Sequence, residues 1–216
     1  HSGDLLWKSA DRECGYATPF LVPRSGSEIV VIGSGRAYVG VRVSDGELLW
    51  TQRWLTSFNC NAADPIFKGD RMFLSSGYNR GSAMFDLSGG TPVLIWKSKE
   101  MKNQIHSSIR LDNHLFGIDG DMDSEPRLRC MDWETGAIRW TADDLRPGGL
   151  TIAGGRLIVL TQSGELVVAP ADSGQFRPEA RAKVLSGKCW TVPVLSNAMI
   201  YCRSIEGQVV CVDCRK

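Results

Sequence analysis

The 216-residue chain has no excess of charge of either sign, with 25 basic against 24 acidic residues. That balance excludes the usual nucleic-acid binder, which carries a basic stripe or surplus. No apolar run approaches the roughly 18 residues that a membrane-spanning helix needs. Helical periodicity is nearly absent. There is no H-E-x-x-H, no nucleophile-elbow motif and no convincing carboxylate pair, so no catalytic residue is assigned. "SSGYNRGS" (75–82) is Gly-rich, but it lacks the Lys-Ser/Thr ending of a phosphate loop and reads as a hairpin. The chain begins at His1 without Met or a signal-peptide pattern, which suggests a processed product or a piece of a longer chain.

Cysteine is present but unpatterned. The seven residues 14, 60, 130, 189, 202, 211 and 214 form no regular framework. Cys211 and Cys214 make a C-x-x-C with no second pair for zinc. Cys130 and Cys211 hold the same place in a repeat and read as small buried strand residues. A cross-strand pair of Cys202 with Cys211 is an alternative.

What is abundant is a repeated phrase. "CMDWETGAIRW" (130–140), "SDGELLW" (44–50) and "FDLSGGTPVLIW" (85–96) each run through a Gly turn into a short β-like run that ends in Trp. "SGDLLW" opens the chain. Trp7, Trp50, Trp96 and Trp140 stand 43, 46 and 44 residues apart, a period of propellers or helical arrays. The runs between them, such as "EIVVI", "RMFLS", "RLIVLT" and "QVVCVD", have strand length. Turn pairs separate them at Gly69-Asp70, Asp112-Asn113, Gly154-Gly155 and Ser196-Asn197.

The expected fold is therefore all-β: a single β-propeller domain, or a fragment of one, spanning 1–216, with four-stranded antiparallel blades. About five blades are expected, at 8–54, 55–98, 99–142, 143–184 and 188–213, with residues 3–9 supplying the last blade's missing strand. Two readings stand: a small ring closed in this way, or the C-terminal part of a larger, eight-bladed ring. Trp7, Trp50, Trp96 and Trp140 are expected as staples on outer strands, each ring flat between blades and each N–H within reach of a backbone carbonyl. The motif Asp satisfies amides of its turn. The fourth blade puts Pro178 where Trp is due, so its outer strand should be irregular. Trp140→Ala should then cost about 3–5 kcal/mol, and Trp133→Ala much less if Trp133 sits in an exposed turn.

The Asp-x-x-x-Gly-x-x-x-Trp shape resembles the pyrroloquinoline-quinone-like repeat. That repeat builds eight-bladed propellers in quinoprotein alcohol dehydrogenases and in the propeller lipoprotein of the outer-membrane assembly machinery. "GYATPFLV", "PIFKGDRMFLSSGYNRGSAMFDL", "IHSSIRLDNHLFGIDG" and "KCWTVPVL" look most like bacterial envelope proteins with such repeats, over nearly the whole chain. The resemblance implies a periplasmic, secreted or envelope protein that acts as a non-catalytic binding or scaffold module. The alternative it implies is a dehydrogenase using pyrroloquinoline quinone with calcium. Adjacent cysteines, which those enzymes carry beneath the quinone, do not occur here.

Ligands of a propeller meet the face where inner strands begin. The residues at that position are Tyr16, Thr18, Asn61, Asp64, His106, Ser108, Trp190 and Thr191, a set suited to a small polar ligand or to a water-filled channel. A protein partner is the other expectation. Asp119, Asp121 and Asp123 alternate like the opening of a calcium loop. Ser124 replaces the Gly and Cys130 the Glu of that loop, so an exposed acidic loop is the plainer reading and no metal is assigned.

Overall fold

The computed structural model describes residues 2–10, 12–24 and 27–215. Its strands follow the alternation of β-branched residues with tight turns, and no helix occurs among the described residues. Five antiparallel sheets form, each a meander of consecutive strands, and these are the blades of a β-propeller. The chain divides into two compact units, 1–107 and 108–216.

The first unit holds two blades. Blade 1 comprises β1 (Phe20–Arg24), β2 (Ser27–Gly33), β3 (Ala37–Arg42) and β4 (Leu48–Arg53). Blade 2 comprises β5 (Ile66–Lys68), β6 (Arg71–Ser76), β7 (Gly81–Asp86) and β8 (Val93–Ser98). Their shared core joins Val31, Tyr38, Trp50 and Trp54 to Met72, Leu74, Phe85 and Leu87.

The second unit holds three. Blade 3 is β9 (Ile109–Leu111), β10 (His114–Asp119), β11 (Arg127–Asp132) and β12 (Ile138–Ala142). Blade 4 is β13 (Pro147–Ala153), β14 (Arg156–Thr161), β15 (Glu165–Pro170) and β16 (Ala180–Lys183). Blade 5 has only β17 (Val194–Ser196), β18 (Met199–Arg203) and β19 (Val209–Asp213). One core cluster packs Phe116, Cys130 and Trp140 with Leu150, Val159 and Val167. Another packs Leu160 and Leu166 with Cys189, Ile200 and Cys202.

The inner hairpins turn on two residues at 69–70, 112–113 and 154–155, as the sequence predicts, with Gly69, Asp112, Gly154 and Gly155 at positive φ. The last such turn sits one residue later than expected. Ser196 pairs with Met199, so Asn197 and Ala198 make the turn, both at positive φ.

In blades 1, 2 and 3 the motif Trp lies directly behind a register shift. Trp50 faces Gly40 while Leu48 faces Val41, which leaves Leu49 as the extra residue of a bulge. Trp96 faces Met84 across the same irregularity, and Trp140 faces Cys130. A bulge re-aims the side chain that follows it. Gly40 shows how close the ring comes, since a Cβ there would lie 2.2 Å from the Trp50 indole. Blade 4 has no such shift. Val168 faces Ala180, so register puts Ala180, not Pro178, at the position that Trp occupies elsewhere. Strand β16 is short and regular. The irregularity expected of it falls instead on 171–179, between β15 and β16.

Residues 3–9, expected to complete the fifth blade, lie in no strand. Trp7 nonetheless behaves as a staple. Its Nε1 donates to the Val43 carbonyl at 2.7 Å, and its ring covers Gly46 in the β3–β4 turn. Trp140 Nε1 donates to the Asp172 carbonyl at 2.8 Å, one residue beyond the equivalent place after β15. The indole N–H groups of Trp50 and Trp96 find no hydrogen-bond partner among the described residues, so the expected carbonyl bond holds for two of the four. The turn that corresponds for Trp50 differs in length. The β7–β8 turn that would receive it carries two more residues between Asp86 and Trp96 than separate Arg42 from Trp50, and the Leu87 carbonyl there already accepts Gly90 N–H.

Two further expectations need correction. Trp133 does not sit in an exposed turn; it is fully buried, with its N–H of the main chain donating to the Asn113 carbonyl and Arg110 over its ring at 5.8 Å. Cys211 is exposed, unlike buried Cys130, and it faces Tyr201 rather than Cys202. All seven cysteines are free thiols.

Candidate functional site

Strand β4 ends at Arg53, and the chain then crosses to β5 through residues 54–65. Thr56 closes this crossing on itself: its hydroxyl accepts the Cys60 N–H at 2.8 Å and donates to the Cys60 carbonyl. The closure delivers Asn61 to the interior, where it is fully buried. Asn61 Nδ2 donates to the carbonyls of Ser34 (2.9 Å), Trp54 (3.0 Å) and Gly35 (3.3 Å). Its Oδ1 accepts from the Ser76 hydroxyl at 3.0 Å, and its own carbonyl accepts the N–H groups of Tyr16 and Ala17. A buried amide so fully engaged is a brace between blades 1 and 2.

Its neighbours do similar work. Asp64 Oδ1 accepts the Thr18 N–H at 2.6 Å, while Asp64 N–H donates to the Ser107 hydroxyl at 2.8 Å. Tyr38 is buried and donates its hydroxyl to the Ala63 carbonyl at 2.8 Å. Burial, reinforced by the nearby Asp64 charge, pushes the Tyr38 phenol well above its ordinary range, so it stays protonated. Of the predicted set in this unit, Tyr16, Thr18, Asn61 and Asp64 are thus brought together, joined through main-chain groups. The Tyr16 ring projects into solvent, 76% exposed, and His106 is half-buried on the stretch that follows Asn103.

The second unit carries Ser108, Trp190 and Thr191. Ser108 is buried just before β9. The stretch 189–192 runs against Gly148 and Gly149, where any Cβ would lie 1.9 Å from the Cys189 carbonyl and 2.3 Å from that of Thr191. The paired glycines are what permit this approach. Thr191 Oγ1 donates to the Arg203 carbonyl at 2.8 Å. Trp190 lies under the Lys188 ammonium at 4.3 Å, and its indole N–H has no partner among the described residues.

The three aspartates diverge. Asp119 ends β10, is buried, and pairs with Arg129 at 2.9 Å. Asp121 accepts the Ser124 N–H and hydroxyl with its main-chain carbonyl. Asp123 reaches out to Lys188 at 3.7 Å. No group of three His, Cys, Asp or Glu side chains that could hold a metal ion occurs among the described residues. The three aspartates therefore do not converge as the oxygen ligands of a calcium loop do. Burial pushes the Cys130 thiol up to about 12 and that of Cys202 up to about 11, so both stay protonated at neutral pH.

Trp54, fully buried, donates its indole N–H to the Ser76 hydroxyl at 3.0 Å, and the Arg80 guanidinium lies 3.7 Å over its ring. Trp54 stands four residues after Trp50, outside the repeated phrase, so nothing in the repeat marks it.

Comparison with known proteins accounts for the architecture. A family model described as outer membrane protein assembly factor BamB matches residues 1–142 and 124–216. The chain belongs to this BamB family. The crystal structure of BamB from Moraxella catarrhalis superposes with a TM-score of 0.66 at 19% identity, over 98% of this chain and 61% of that one. The N-terminal domain of Nup159 superposes with a TM-score of 0.56 at 13% identity, over 80% of this chain and 46% of that one. At such identities the likeness is one of fold. The chain spans about 61% of the length of the BamB structure it matches. No curated protein sequence matches it. No helix among the described residues is long and apolar enough to cross a membrane.

Proposed function

We propose that this BamB-family propeller is a non-catalytic binding module of the bacterial cell envelope, holding protein partners on the periplasmic side and using no quinone cofactor. The family match along the chain supports the envelope setting. The observation that carries the non-catalytic reading is the fate of the polar residues best placed for a ligand. Asn61 spends its amide on three backbone carbonyls and a Ser hydroxyl, Asp64 holds the Thr18 amide, and Asp119 is neutralised by Arg129. Groups committed to bracing blades do not reorganise cheaply around a substrate. A fold of this kind hosts many functions, so the site decides among them.

The test has two arms. Immobilised protein should capture a discrete partner from the solubilised envelope fraction of its source organism. Pyrroloquinoline quinone titrated with calcium should leave Trp fluorescence unsaturated, and no alcohol should be turned over with a redox dye. Saturable, calcium-dependent quenching together with turnover would replace this reading with that of a dehydrogenase.

A further inference from the structure

Blade 2 differs from the others in its outer strand. β8 exposes three apolar residues in succession: Val93 (60%), Leu94 (51%) and Ile95 (40%). The outer strands of blades 1 and 3 bury their Trp and cover part of the rest, and that of blade 4, Ala-Arg-Ala-Lys, is short and largely polar. At the end of this apolar run the charge changes. Lys97 and Lys99 follow, and the β6–β7 turn brings Arg80 beside them.

That turn is well defined. Tyr78 and Asn79 both adopt positive φ, Arg80 N–H donates to the Gly77 carbonyl at 3.0 Å, and Lys99 Nζ donates to the Asn79 carbonyl at 2.9 Å. The Arg80 guanidinium carbon lies 3.7 Å from the centre of the Trp54 ring. Stacking engages the face of a guanidinium and leaves its N–H donors, which lie in the plane, available. Arg80 is half-buried, yet its guanidinium meets no carboxylate or carbonyl acceptor among the described residues, and Lys97 likewise has no acidic partner there. Burial draws the Arg80 pKa below its ordinary value, the mark of a cation with no compensating anion. It remains charged at neutral pH.

Two adjoining clefts meet on these cations. One, of about 270 Å³, is lined by Trp54, Ala83, Phe85, Pro92 and Leu94 together with Arg80 and Lys97. The other, of about 350 Å³, is lined by Arg80, Lys97, Ser98 and Lys99. Apolar wall and cationic floor lie side by side, and both belong to one compact unit.

We infer that the Arg80–Lys97–Lys99 cleft and the exposed face of β8 bind a segment of a protein partner in which carboxylates alternate with large apolar side chains. A carboxylate supplies the bidentate acceptor that Arg80 lacks, and the neighbouring apolar residue covers Leu94, Pro92 and Phe85. A carboxylate alone leaves the apolar cleft open, and an apolar segment alone leaves the guanidinium without an acceptor. The inference rests on the protein-binding reading given above and supplies it with a place and a partner chemistry.

The experiment is fluorescence anisotropy with a labelled peptide alternating Glu with Leu and Phe, against the whole folded chain. Saturable binding that weakens with salt is expected, with affinity falling about tenfold or more on Lys97→Glu and on Arg80→Gln. Arg177→Glu, an exposed change in the second unit, should leave it within about twofold. Peptides with Gln for Glu, or with Gly for Leu and Phe, should each bind at least about fivefold more weakly. Equal binding of the Gly-substituted peptide, or full competition by inorganic phosphate at the same concentration, would overturn the proposal in favour of a bare anion pocket. Binding to phosphatidylglycerol vesicles without binding to the peptide would overturn it in favour of a lipid surface. Insensitivity to Lys97→Glu would overturn the location. If envelope partners are still captured by the Lys97→Glu variant, the cleft fails and the scaffold reading stands; if neither protein captures a partner, the scaffold reading itself fails.

Discussion

Blades 3 and 4 sit side by side in the second unit, with middle strands of similar length and burial. They part at the outer edge. In blade 3, β12 carries Trp140 behind a bulge that shifts register between Cys130 and Met131. In blade 4, β16 pairs with β15 in unbroken register, and Ala180 stands where the Trp would be. The bulge and the Trp are therefore one device: where the large ring is absent the strand runs straight. The ring serves the next blade as much as its own. Trp140 packs on Phe116 of blade 3 at 5.9 Å and on Phe176 at 5.6 Å, while its N–H ties down the Asp172 carbonyl. Blade 4 is held by its neighbour's staple and contributes none of its own.

The sharpest way to break this comparison is to remove the ring. Trp140→Ala should destabilise the protein by about 3–5 kcal/mol, read as a shift of the urea midpoint. Trp140→Phe keeps much of the apolar area but leaves the Asp172 carbonyl without its donor, and should cost about 1–3 kcal/mol. Trp133→Ala belongs with the large effects too, at about 3–5 kcal/mol, because its side chain is fully buried. A midpoint for Trp133→Ala close to that of the unmodified protein would contradict this packing.

A second test exchanges the residue across from the staple. Gly40 faces Trp50 where blade 4 has Val168 facing Ala180. Gly40→Val should cost about 1–3 kcal/mol by forcing the Trp50 ring aside. In a Trp50→Ala background the same change should cost clearly less, since the atoms it meets are gone. Equal costs in the two backgrounds would mean that the glycine serves the backbone rather than the ring.

The contrast between blades also explains what the sequence can disclose. The blades were legible because staple, turn and strand recur at a fixed spacing, and each is a local feature. The bulge was not, since it arises from fitting a large ring against the facing strand. Pro178 was misplaced for the same reason: counting from Gly174 ignores the register that only pairing with β15 sets. Asn61 reads as a ligand-facing polar residue in "NCNAADP", because its bracing role comes from two blades meeting over a crossing loop. Trp133 shares a turn with Asp132 and looks exposed by that company, yet its ring turns inward beneath Arg110. Arg80 and Trp54 lie 26 residues apart, and no periodicity links them.

The finest distinction between blades lies in the turn before the outer strand. Blade 3 clasps its turn with Asp132, whose Oδ1 accepts the Glu134 N–H at 3.0 Å and the Thr135 N–H and hydroxyl at 2.9 Å. Burial works to raise this carboxyl, but the Thr135 and Glu134 donors and the nearby His114 charge outweigh it and hold it below its ordinary value of 3.8. Blade 1 has Arg42 at the same place, clasping instead through Asp45 and Glu47 on the surface. A depressed carboxylate contributes stability above its unfolded pKa and loses it as pH falls through the folded one. Asp132→Ala should therefore cost about 1 kcal/mol at pH 7, and the gap from the unmodified protein should narrow as pH is lowered below about 4. Arg42→Ala should also lose its effect in acid, because protonated Asp45 and Glu47 no longer pair with the guanidinium, but unlike that of Asp132→Ala its smaller effect should fade in 0.5 M salt at pH 7, because exposed ion pairs are screened. An Asp132→Ala penalty that is the same at pH 7 and well below pH 4 would mean that the clasp acts through turn conformation alone and that the carboxylate's hydrogen bonds add nothing to it.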